Sequence, residues 1–173
     1  MFRATFAILV TAAAAVSGSA AFAHITLENQ QAAVGGSYKA VFRVPHGCSG
    51  SATVAIKVRI PEGFADVKPM PKPGWKLDVT RGKYETPMRV RGVSVNEGVT
   101  EVGWSGGNLP DAYYDEFVLT GYVGEDEKPG DTMYFRVVQE CEKGVNRWIE
   151  IPAADAKAEP PEPAAGLKLV PKR

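Results

Sequence analysis

A chain of 173 residues in which 20 basic side chains balance 20 acidic ones carries no formal net charge at neutral pH. That balance argues against a nucleic-acid footprint and against a polybasic anchor for an anionic membrane, both of which need clustered positive charge. Eighteen Gly and 13 Pro, with β-branched and aromatic residues in short runs, favour an all-β domain over a helical one.

Residues 1–23 read as a secretory signal peptide. Arg3 supplies the positive start, Phe6 to Val16 the apolar stretch, and Ala21-Phe22-Ala23 the cleavage motif. The apolar stretch is too short to span a bilayer, and no later run approaches the ~18 apolar residues of a membrane span. No Cys stands beside the motif, which argues against a lipoprotein. The expectation is a soluble periplasmic domain that begins at His24, cut from Ala23. A free N-terminal histidine offers two nitrogens, the α-amine and imidazole Nδ1, that close a chelate ring on one metal ion. The chain has only two histidines, so one standing at the new N-terminus is a specific signal.

From there the alternation of apolar and polar residues predicts strands. His24 to Leu27 is a short first one. Ser37 to Val44 and Thr53 to Ile60 follow, each with one buried face. Lys68 to Gly74 is Pro-rich and cannot be a central strand; Trp75 to Thr80 is the next candidate. Arg89 to Val95 and Val99 to Trp104 flank Asn96-Glu97-Gly98, which predicts a hairpin turn. Ser105 to Pro110 reads as loop. Glu116 to Val123, Thr132 to Gln139 and Asn146 to Ile151 complete the set, with a turn at Lys128-Pro129-Gly130-Asp131. Eight or nine short strands with regular turn signals form the pattern of a β-sandwich. This places one domain over residues 24–152. Residues 153–173, rich in Ala, Pro and Glu, read as a disordered or extended tail.

The two cysteines, Cys48 and Cys141, are expected to pair in an oxidising compartment. The competing use is a thiolate copper site, which wants His, Cys, His and a weak axial Met; no His follows Cys141. A Cys48–Cys141 bond would bring the loop holding His46 (Val44-Pro45-His46-Gly47-Cys48) beside the QECEKGVNRW segment that leads to Trp148, gathering His46, Glu140, Glu142 and Trp148. The first strand could deliver His24 to the same end. One amine and two imidazoles make an N-donor set that favours Cu(II), whereas a structural Zn(II) site needs four protein ligands. The bland alternative for His46 is a solvated loop residue. Trp75 and Trp104 are expected in the core. Asp111, Asp115 and Glu116 read as a solvated rim, Ser49 and Ser51 lack a nucleophile-elbow context, and Met70, Met88 and Met133 are too scattered for a Cu(I) site.

Several motifs run in order over residues 24–151. They are His24-Ile25-Thr26-Leu27, Phe42-Arg43-Val44-Pro45, Lys57-Val58-Arg59-Ile60-Pro61-Glu62-Gly63, Pro73-Gly74-Trp75-Lys76, Trp104-Ser105-Gly106-Gly107-Asn108-Leu109-Pro110 and Asp115-Glu116-Phe117, then Gln139, Gly144 and Trp148. In these the chain resembles the YcnI-like copper-binding proteins, a family often found beside bacterial copper genes. The resemblance implies an immunoglobulin-like or cupredoxin-like β-sandwich. It also implies Cu(II) held by an N-terminal histidine brace, with a carboxylate and a tryptophan completing the site. His24 matches the N-terminal ligand and Trp148 the tryptophan. The carboxylate would fall just after Val44-Pro45, where this chain has His46. The expectation is therefore a non-enzymatic periplasmic copper chaperone or sequestering protein. Its metal residues would be His24, His46 and Trp148, and its partners other periplasmic or membrane copper proteins. The alternatives are a histidine-brace oxygenase acting on polysaccharide and a metal-free adhesion or scaffold module.

Overall fold

The computed structural model describes residues 24–153, 155–156 and 158–172; the signal peptide expected over 1–23 lies outside them. The described residues form two packed β-sheets and no helix. One sheet has four strands in the order β1 (Thr26–Leu27), β3 (Ser37–Val44), β8 (Asp115–Val123) and β5 (Phe64–Pro69). The other runs β2 (Gln31–Ala33), β11 (Ala165–Val170), β9 (Thr132–Cys141), β4 (Thr53–Arg59), β7 (Val93–Leu109) and β6 (Lys76–Val90). The remaining strand, β10 (Val145–Trp148), pairs with the C-terminal half of β9.

Alternation explains why these segments are strands. In β9, Met133, Phe135, Val137, Gln139 and Cys141 all point inward and are buried, while the residues between them are more exposed. The inward faces meet through aromatic rings contributed by both sheets. Phe42 of β3 and Phe64 of β5 each stand edge-on to Phe135 of β9, with centroids 5.4 and 5.3 Å apart. Trp104 of β7 meets Phe117 of β8 at 5.5 Å. Such pairs contribute about 0.5–1.5 kcal/mol each beyond the area they bury.

Among the described residues the strands number eleven, more than the eight or nine predicted, and three local expectations are corrected. The hairpin turn after β6 is Arg91-Gly92, between the paired Val90 and Val93. Both turn residues have positive φ, 50° and 79°, as a type I′ turn requires, and glycine takes the second position without strain. Asn96-Glu97-Gly98 instead lies within β7, opposite Gly82 and Lys83, beside a register shift. Ser105 to Leu109 is the end of β7 rather than loop.

The third correction concerns the tail. Residues 165–170 form β11, which is antiparallel to β9 and parallel to β2. Ala165, Leu167 and Leu169 are buried while Lys168 faces outward. Six residues of alternation are hidden when composition is averaged over the whole Pro- and Ala-rich stretch 153–173.

Strand register gathers several loops at one end of the sandwich. Thr26 pairs with Arg43, so His24 stands level with Pro45, where β3 gives way to the 45–52 loop. Val44 pairs with Asp115, and Thr53 with both Leu109 and Cys141. The segments 45–52, 110–114 and 142–144 therefore share this end with His24. Cys48 and Cys141 are disulfide-bonded across it, 93 positions apart in sequence, as expected. Closing a loop of that length stabilises the fold by about 4–5 kcal/mol in the chain-entropy account.

Candidate metal centre

The chemistry-bearing residues are placed by three elements meeting at that end. The residues leading into β1 carry His24, the end of β10 carries Trp148, and the 45–52 loop carries His46. His24 and Trp148 come together: their ring centroids are 5.6 Å apart at a tilt of 52°. Trp148 is only 4% exposed, and its indole N–H donates to Gln139 Oε1 at 3.0 Å. The N–H is thus committed to Gln139, and what Trp148 has left for His24 is its carbon ring system.

Gln139 is the hub of this region. It is 1% exposed on the inward face of β9. Its Nε2 donates to the His46 carbonyl at 2.7 Å and to Thr53 Oγ1 at 2.8 Å. Its Oε1 accepts from Trp148 and, at 3.4 Å, from Asn146 Nδ2. A buried amide is tolerated when all its donors and acceptors are used. Here that requirement locks the position of Trp148 to the backbone of the His46 loop.

His46 joins the cluster through its backbone carbonyl rather than its ring. The ring lies partly buried with Nδ1 2.6 Å from the Gly47 carbonyl. A carbonyl can only accept, so Nδ1 carries the proton and Nε2 the lone pair. That is the tautomer found in metal-ligating imidazoles whose other nitrogen is anchored to a carbonyl. The loop itself is tightly folded. Cys48 and Ser51 exchange backbone hydrogen bonds at 3.0 Å, Gly47 N donates to Asp111 Oδ1 at 3.0 Å, and a Cβ at Gly47 would stand 1.9 Å from the Ser51 carbonyl. Only glycine fits there.

The other two expected members, Glu140 and Glu142, are not drawn in, and the residues read as rim and core stay apart from the cluster. Glu140, on the outward face of β9, pairs with Lys57 at 2.6 Å, and Glu142 accepts from Asn108 at 3.1 Å. Asp115 pairs with Lys72 at 2.7 Å. Trp104 is fully buried, and Trp75 is partly buried and edge-on to Phe117 at 4.9 Å. Among the described residues, no group of three or more His, Cys, Asp or Glu side chains converges as a metal cage.

Two residues of this region were not among the expected site members. Gln139 was legible as a polar residue in phase with the buried positions 133, 135 and 137. Glu159 was not: its Oε2 lies 3.8 Å from His24 Nδ1, and it belongs to the segment read as tail.

The model of a family described only as a domain of unknown function, DUF1775, matches residues 24–169. The chain belongs to the DUF1775 family. The match begins at His24 and runs into β11, so it takes in both the proposed N-terminal ligand and the last strand. Among solved structures, the chain is similar to an uncharacterized protein from Nocardia farcinica whose crystal structure reveals an immunoglobulin-like fold. The two are 27% identical with a TM-score of 0.62, over 85% of this chain and 98% of that one. No curated protein matches.

Proposed function

We propose that the mature domain, cut between Ala23 and His24 and exported to the periplasm, binds Cu(II) and serves as a copper chaperone or sequestering protein. The observation that carries this reading is the contact of His24 with the buried Trp148, at the end of the sandwich fastened by Cys48–Cys141. While residue 23 is attached, the His24 nitrogen is an amide with no lone pair to give. Cleavage turns it into an amine one chelate ring away from Nδ1. The donors fit the metal: nitrogen and oxygen ligands suit Cu(II), and the His46 tautomer leaves Nε2 able to coordinate. His24 would hold the ion through two nitrogens, with His46 as the second imidazole and Trp148 shielding it from solvent. The bound ion would itself be the cargo, released to another periplasmic or membrane copper protein.

Intact mass combined with EPR of protein secreted from its own leader tests the reading. The expected result is a mass beginning at His24 and a stoichiometric nitrogen-ligated Cu(II) signal, changed when an extra Gly precedes His24. A different N-terminus, or a spectrum indifferent to the added Gly, refutes the brace. A spectrum unchanged in His46→Ala removes the second imidazole alone.

A further inference from the structure

The chain reaches β11 through residues 158–164, and this stretch is held in place rather than trailing. Ile149 N and Glu150 N both donate to the Glu162 carbonyl at 3.0 Å, and Ala164 N donates to the Glu150 carbonyl at 2.8 Å. Glu162 also accepts from Arg147 N through Oε1 at 3.2 Å, and Glu150 pairs with Pro163 as a parallel bridge. Pro160, Pro161 and Pro163 further restrict the backbone. Glu159 stands three residues before the fastened Glu162 and opens, with His24, into a cavity of about 310 Å³. Thr26, Gln30, Thr132 and Tyr134 line the same cavity.

Within it, Glu159 Oε2 faces Nδ1 of His24, the imidazole nitrogen that an N-terminal chelate uses, at 3.8 Å. That distance is beyond a hydrogen bond. Two ligand atoms each ~2.0 Å from one ion stand between ~2.8 Å apart, at adjacent corners of a square, and ~4 Å apart at opposite corners. The observed separation falls inside that window. His24 is mostly enclosed, its side chain 16% exposed, whereas Glu159 is 63% exposed. The carboxylate therefore approaches from the solvent side, where an arriving cation would meet it first.

We propose that Glu159 supplies the carboxylate ligand of the centre, so that the C-terminal segment completes a site begun by the N-terminus. This rests on the Cu(II) reading above. The set becomes amine and Nδ1 from His24 with a carboxylate oxygen from Glu159. The cavity shared by His24 and Glu159 is not lined by His46, so in this arrangement Glu159 takes the position that the second imidazole would otherwise fill.

The test is Cu(II) affinity by chelator competition, together with EPR, on the exported full-length mature protein, for the parent, Glu159→Gln and Glu159→Asp. The expected result is at least about tenfold weaker Cu(II) binding in Glu159→Gln, the scale seen when groups supporting a metal site are removed. A shifted EPR spectrum, an unchanged melting temperature and partial recovery in Glu159→Asp should accompany it. A parent that binds Cu(II) while Glu159→Gln matches it in affinity and spectrum overturns the role of Glu159 and leaves the copper reading standing. A parent that binds no Cu(II) overturns both.

Discussion

Replacing Gln139 by Leu is the sharpest probe of the polar network beneath the site. The substitution keeps nearly the same volume but removes every hydrogen bond the amide makes. It strands the buried Trp148 N–H and the His46 carbonyl, while Thr53 Oγ1 retains only a long contact to Cys141 Sγ at 3.8 Å. A buried group left without its partner costs about 1–3 kcal/mol. Two such groups, offset in part by the better burial of Leu, predict a net loss of about 2–4 kcal/mol. For a chain of this size that lowers Tm by roughly 5–15 °C. Urea and thermal unfolding of the disulfide-intact protein, followed by circular dichroism, measure it. Trp148→Phe supplies the second arm of a double-mutant cycle by removing the indole N–H. In that background Gln139→Leu should cost less by about 1–2 kcal/mol, the coupling expected of directly bonded side chains. A loss below about 1 kcal/mol in the parent background, or perfect additivity in the cycle, would refute the account of Gln139 as the link between Trp148 and the His46 loop.

Leu169→Ala removes a side chain only 1% exposed in β11 and should cost about 2–5 kcal/mol in equilibrium unfolding. An unstructured tail would register within about 0.5 kcal/mol. Glu127 tests the sign of a pH effect. Burial first, then Asp131, Asp126 and Glu62, raise its pKa above the ordinary 4.5. Its folded pKa exceeds its unfolded one, so its favourable contribution is complete below 4.5 and is lost as pH rises through the folded value. Glu127→Gln should therefore be more stable than the parent at neutral pH, and the advantage should vanish in acid. Denaturant midpoints at both pH values check this, and an advantage that persists or grows in acid would contradict it.

Much of the sandwich is legible because its central strands carry a clean period of two. Ser37–Val44 is predicted to the residue, since Tyr38, Ala40, Phe42 and Val44 mark one face without interruption. Elsewhere the local chemistry is ambiguous. Asn96-Glu97-Gly98 carries turn residues, but Arg91-Gly92 makes the turn, because pairing of β6 with β7 on either side decides which dipeptide must take positive φ. Nothing local in Arg91 announces that. At the site, His24 and Trp148 were visible through a cleavage motif and a resemblance, and Cys48–Cys141 through compartment chemistry. Glu159 was invisible for a different reason. Its proximity to His24 depends on a pairing between residues far apart in sequence, and a segment dismissed as tail cannot be credited with contacts.

The place of β11 between β2 and β9 has a consequence for how the molecule is made. Among the described strands, β2 has no ladder partner except β11. The second strand to be synthesised must therefore wait for the last one before it can enter its sheet, and pairings of such long sequence separation are slow to form. A nascent chain lacking its final residues has β9 open along its first half and a stretch near its N-terminus with nowhere to dock. Until residues 165–170 have emerged, that edge of the sheet stays incomplete and the chain around it stays unfolded.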